Sequence, residues 1–194
     1  MNYLAHLFLA GHDPDEKLGS LIADFTRGRL ETLARNYPPG IMRGIAIHRK
    51  IDQYTDQHTR VLLSKRRFSD QRRRYAGIIV DVLHDHFLSR HWYRHSDMDR
   101  GEFIASAYRL LHRNRHVLPS RMQWIAPLMI DQDWLGSYHY IDRIGEAYDR
   151  MSRRLRQPNN LAGAVVEVRK LYPVLERDFE IFFPELRFHV DNLG

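Results

Sequence analysis

The stretch Asp81-Val82-Leu83-His84-Asp85-His86-Phe87-Leu88-Ser89-Arg90-His91-Trp92 puts two Asp and three His into a segment that is otherwise apolar at helical spacing. Burying an unpaired carboxylate costs several kcal/mol, so such groups are paired or metal-bound. Asp81 and Asp85 are four residues apart and project from one helix face. The donors are oxygen and imidazole, and the chain contains no Cys to supply a thiolate. Two more apolar segments carry the same kinds of group. Asp24 sits among Leu18, Leu21, Ile22 and Phe25; His48 and Asp52, again four apart, sit among Ile41, Ile45, Ile47 and Ile51. Inward-facing carboxylates and imidazoles on several helices are how helical bundles build metal sites. Such donors favour Mn, Mg, Fe or Zn. A cation of this kind polarises a phosphoryl oxygen and lowers the pKa of water.

Each group also has a plainer reading. His6 alone reads as a satisfied core histidine, and Asp24 as a cap or a partner for Arg27. Asp56, after Thr55, reads as turn chemistry. Asp81, Asp85 and His86 together read as a salt-bridge network.

The elements that must position these residues are all helical. A first helix covers residues 2–10, with Asn2 and His6 on one face. A second starts near Asp15 or Glu16, with acids at its N-terminal end, and stops at Gly28. A short third spans 29–35, and a long one runs from Pro39 to a polar turn at Thr55-Asp56. A short segment holds Val61, Leu62 and Leu63, followed by the basic run 65–74. The Asp81 helix covers 75–92. Further helices are expected at 100–116, 122–130, 138–151 and 161–183, with breaks at Pro119 and Gln157-Pro158-Asn159-Asn160. No sustained strand alternation and no repeat appear. The expected fold is all-α: one helical bundle domain over residues 1–194.

A chain of 194 residues can bury a full core in one domain. The absence of Cys, of a long apolar run and of a basic leader agrees with a cytoplasmic protein. The net charge of +6 points to an anionic partner: nucleic acid, phospholipid or an acidic protein.

Four segments carry a family resemblance: Met1-Asn2-Tyr3-Leu4-Ala5-His6-Leu7; Gly19-Ser20-Leu21-Ile22-Ala23-Asp24-Phe25; Gly44-Ile45-Ala46-Ile47-His48-Arg49-Lys50-Ile51-Asp52 with Thr55-Asp56; and Asp81 to Trp92. In this order they resemble the acyl carrier protein phosphodiesterases, densely in the first half of the chain and thinly in the second. The resemblance implies an all-helical, HD-domain-like phosphohydrolase. It implies hydrolysis of the phosphodiester between 4′-phosphopantetheine and a serine of holo acyl carrier protein, with a divalent metal, manganese first and magnesium or iron after it. His84-Asp85 looks like an HD doublet, whereas the family motif centres on Asp85-His86 and the ligand order differs from the usual HD arrangement. The expected ligands are the embedded Asp24, His48, Asp81 and Asp85.

The expected mechanism follows. Water attacks phosphorus in line while the serine oxygen leaves. His6 or His86 serves as general acid or base, because imidazole titrates near neutral pH. Arg49 neutralises phosphoryl charge, and Asp52 orients His48. Arg66, Arg67, Arg72, Arg73 and Arg74 form a patch that steers the acidic carrier protein. An HD-type nucleotide or cyclic-dinucleotide phosphohydrolase is the enzymatic alternative. A non-catalytic basic helical module binding nucleic acid is the other, and the resemblance ranks it last.

Overall fold

The computed structural model describes residues 1–193, and among these every regular element is helical. The order is α1 Tyr3–Leu9, α2 Pro14–Ile22, α3 Leu30–Leu33, α4 Pro39–Gln57, α5 Thr59–Arg67, α6 Asp70–Arg73, α7 Ala76–Arg90, α8 Arg100–Arg113, α9 Ser120–Asp131, α10 Trp134–Ser137, α11 Ile141–Arg154 and α12 Val165–Asp191. Local chemistry sets several boundaries. The Asp13 side chain accepts from the Asp15 amide at the start of α2, beside Pro14 at the first helical position. Pro39 opens α4 in the same way, and the Asp99 carboxylate caps α8 through the Glu102 amide.

Four boundaries differ from the sequence expectation. The second helix stops at Ile22 and tightens into a 3₁₀ turn, Ala23–Phe25, so Asp24 lies at a helix end and not among core residues. Thr55-Asp56 is no turn: α4 runs through both to Gln57, because Thr55 faces the core. The helix expected over 138–151 starts only at Ile141 and runs to Arg154, with the separate short α10 before it. The last helix begins at Val165 and passes both Pro173 and Pro184 before ending at Asp191.

One hydrophobic cluster takes side chains from α1 through α12. Helix α7 runs through it, buried from Val82 to Ser89. Helix α12 covers it with Phe179, Phe182 and Phe183, and is pinned to α5 through the buried Asp178. That carboxylate accepts from the Ser64 hydroxyl at 3.1 Å and from Arg67 Nε at 3.0 Å.

Two contacts position the future site. The Asp85 carboxylate of α7 accepts the Leu4 and Ala5 amides of α1, at 2.8 and 2.9 Å. These are donors of the first turn, which have no partner within the helix. Helices α2 and α4 cross with backbone against backbone at two glycines. A Cβ on Gly19 would collide with the carbonyl of Ile41, and one on Gly44 with the carbonyl of Glu16.

In an open helix, Gly→Ala gains about 1 kcal/mol of propensity. Here the obstruction is main chain and cannot swing aside. Gly44→Ala is therefore expected to destabilise the protein by about 3 kcal/mol or more, read as a lowered denaturation midpoint. A stabilised variant would show that the two helices separate at little cost.

Candidate metal centre

Helix α1 delivers His6, and α4 delivers His48 and Asp52 one turn apart. One ligand atom from each falls within 4.8 Å of the other two. His6 Nε2 lies 3.0 Å from Asp52 Oδ1, and His48 Nε2 lies 3.1 Å from Asp52 Oδ2. The two imidazoles stack face to face, with centroids 3.6 Å apart. Both histidines are buried, while Asp52 is partly open to solvent. Asp24, the most exposed member, brings Oδ1 to 3.3 Å from His48 Nε2.

The tautomer of His48 follows from its surroundings. Its Nδ1–H donates to the Ser20 carbonyl at 2.9 Å, which leaves Nε2 facing Asp24 and Asp52. Burial would lower the His48 pKa, but the hydrogen bonds and charges of Asp24 and Asp52 outweigh it and hold the pKa at about 9. Burial pushes His6 down to about 4, with the Asp52 contact opposing only in part. One imidazole of the stack is thus charged and the other neutral, as two cations face to face would repel. Asp24 and Asp52 are both held low: burial would raise them, and the contacts to His48, with His6 adding at Asp52, overcome it.

The residues suit a divalent cation. Although His6 Nε2 is 3.0 Å from Asp52, the pair is not aligned for a hydrogen bond, and neither ring nitrogen of this buried imidazole has a hydrogen-bond partner. An orphaned buried nitrogen is costly unless something fills the position. Two imidazoles and a carboxylate, with a second carboxylate at the edge, match manganese, iron or zinc.

The other expected site residues fall elsewhere. Asp81 is separated from the cluster by the Met1 amino group, 3.3 Å from both Asp81 Oδ1 and Asp52 Oδ1. Burial raises the Asp81 pKa, and that amine opposes. Both oxygens of Asp85 are spent on α1. Burial still pushes its pKa up to about 7, against the pull of the Ala5 and Leu4 amides. His84, its neighbour in the doublet, packs against Phe179 and Phe182.

His86 points toward a separate cavity of about 500 Å³ lined by Arg90, His139 and Tyr172. Its Nδ1–H donates to the Tyr138 carbonyl, and its Nε2 accepts the Tyr172 hydroxyl. Arg49 donates to the Gly28 and Thr26 carbonyls, tying down the loop after Asp24. His6 and Asp52, expected as acid/base and orienting groups, lie with His48 in the group that could hold a metal. The i,i+4 pairs Asn2/His6 and His48/Asp52 were the visible signal. That α1 and α4 meet at these positions was not.

A family model described as acyl carrier protein phosphodiesterase matches residues 1–186. Curated relatives bear that same name. The protein of Serratia proteamaculans is 35% identical over 187 residues, covering 96% of this chain and 95% of its own length. That of Salmonella dublin is 36% identical over 188 residues, and that of Pectobacterium atrosepticum 34% over 187, with the same coverage of both chains. No solved structure matches the chain. Among the described residues, no helix is long and apolar enough to cross a membrane.

The raised pKa of His48 has a stability consequence. In chelator-treated protein its contribution is fully present below the ordinary histidine value of 6.5 and is lost as pH rises through about 9. The denaturation midpoint of metal-free protein is expected to fall between pH 6.5 and 9. His48→Gln should flatten that limb. An identical pH profile in the variant would show that His48 is not an imidazolium in the folded state.

Proposed function

The chain belongs to the acyl carrier protein phosphodiesterase family, and from that premise we propose that it hydrolyses the phosphodiester joining 4′-phosphopantetheine to a serine of holo acyl carrier protein. Water adds its oxygen to phosphorus, the bond from phosphorus to the serine oxygen breaks, and that oxygen takes up a proton. Apo carrier protein and 4′-phosphopantetheine result. We place the reaction in the cytoplasm, in keeping with a chain free of Cys. The observation that carries the reading is the convergence of His6, His48 and Asp52 within a chain that the family matches over residues 1–186.

His6, His48 and Asp52 would hold a divalent cation, manganese first and magnesium or iron as alternatives, with Asp24 as a fourth donor on the exposed side. Such a cation, when bound, supplies positive charge against the phosphoryl oxygens and acidifies water. The protein's own groups supply placement. The Ser20 carbonyl fixes the His48 ring, and the Asp85 clamp fixes the turn of α1 that presents His6. Arg49 acts by tethering the Thr26–Gly28 loop, which sets where Asp24 stands. His86 has no part here, since its two nitrogens are engaged on another cavity. An HD-type relationship remains within this proposal as a His/Asp donor set on an all-α frame, with the His84-Asp85 doublet outside the donor set.

Holo acyl carrier protein incubated with the enzyme and manganese should lose the mass of phosphopantetheine. Asp52→Ala should lower kcat/KM by more than the roughly 100-fold typical of residues one shell behind a ligand, and should purify with less metal. Asp56→Ala, which removes only an exposed partner of Lys65, should leave both unchanged. Intact holo carrier protein, or full activity in Asp52→Ala, overturns the reading.

A further inference from the structure

The positive charge of this chain is not equally available everywhere. Within the basic run near α5 and α6, most guanidinium groups already have internal partners. Arg67 holds Asp178, and Arg72 holds Glu167 together with the Asn160 and Ala162 carbonyls. Arg73 pairs with Asp70, and Arg74 with the Gln157 side chain. Arg67, Arg72 and Arg74 thereby join this region to α12 and to the loop before it, while Arg73 is held within α6.

Around the metal centre the balance is reversed. Arg27, Arg121 and Arg154 are exposed, and among the described residues none of them forms an ion pair. Arg27 follows Asp24 by three residues. The Arg121 guanidinium lies over the ring of Phe25, 6.0 Å from its centroid, next to Asp24 in the chain. Tyr3, from the same helix as His6, feels the charges of Asp24, Arg121 and Arg154 together. The exposed edge of the donor cluster is thus bordered by arginines without carboxylate partners.

Helix α9 extends this border. Arg121, Trp124 and Leu128 are spaced i, i+3 and i+7, which puts them on one face. Trp124 is 81% exposed and Leu128 45% exposed. An indole left almost wholly in water on a formed helix adds nothing to the fold. Trp and Arg together are the residues in which interface binding energy concentrates.

We propose that the outer face of α9, Arg121, Trp124 and Leu128, with Arg27 and Arg154 beside it, is the surface on which the acidic carrier protein docks. The inference rests on the activity proposed above and departs from the expectation for Arg66 to Arg74. Charge complementarity supports it: free cations border the donors where an acidic protein would present its modified serine. The exposed indole supplies a desolvating anchor among them. Electrostatic contacts of this kind set encounter and register more than chemistry, so their loss belongs in KM.

The test compares holo acyl carrier protein kinetics for wild type, Arg121→Glu, Trp124→Ala and the double variant Arg66→Glu/Arg74→Glu, each checked by thermal melting. Arg121→Glu and Trp124→Ala should each raise KM by about tenfold or more with kcat near wild type. The effect of Arg121→Glu should shrink at high salt, and the double variant should keep a wild-type KM. A KM unchanged in either α9 variant, or a larger rise in the double variant, overturns this surface while leaving the activity intact. Wild-type protein that leaves holo carrier protein whole overturns the activity and the surface with it.

Discussion

The Asp85 carboxylate on the amides of Leu4 and Ala5 is the contact through which the rest of the site is held. Helix α1 has seven residues, too few to be stable alone in water. Its first-turn amides need acceptors, and a buried carboxylate at a helix N-terminus supplies them and, where ionised, complements the dipole. Because both oxygens are engaged, the helix is fixed in rotation as well as position. His6 follows Ala5 directly, so its ring is delivered against His48 by a clamp on the turn just before it. A carboxylate that the sequence marks as a metal ligand thus serves the centre by holding the element that carries a donor.

The second half of the centre depends on how closely two main chains can approach. Gly19 and Gly44 let α2 and α4 cross without intervening side chains. That closeness brings the Ser20 carbonyl within 2.9 Å of His48 Nδ1 and the turn holding Asp24 within reach of Nε2. The charge state of the stacked pair then follows from position. His48 faces two carboxylates and is held near 9, whereas burial takes His6 down to about 4 with only the Asp52 contact opposing. Two chemically identical rings 3.6 Å apart are thereby made electrically unlike.

The helical architecture was legible because apolar residues along α2, α4, α7 and α8 recur at helical spacing, with proline or an acidic cap marking the starts of α2, α4 and α8. The presence of a His/Asp centre was legible too, since polar groups embedded in apolar helices require partners. What spacing could not give was which of them meet. Asp81 and Asp85 share a face of α7, yet one turns to a terminal amine and the other to backbone amides. His6, a single histidine in a short first helix, read as core by itself and as an acid/base candidate through the resemblance. Its role depends on a contact with residues more than forty positions away. The basic run hides its partners for a related reason. Charge is visible in sequence, but the glutamates, aspartates and carbonyls that occupy it come from α6, α12 and the loop before α12.

The Asp85 clamp also has a consequence for the order in which a growing chain becomes competent. The donors at 6, 24, 48 and 52 all leave the ribosome before residue 85. Helices α2 and α4, which pack directly on one another, are both complete by residue 57. The first helix already packs on α2, where the Ser20 hydroxyl donates to the His6 carbonyl, but its N-terminal amides gain the Asp85 acceptors only once α7 has been made. Until then the turn that carries His6 lacks its clamp, while His48, Asp52 and Asp24 already lie on elements that are complete by residue 57.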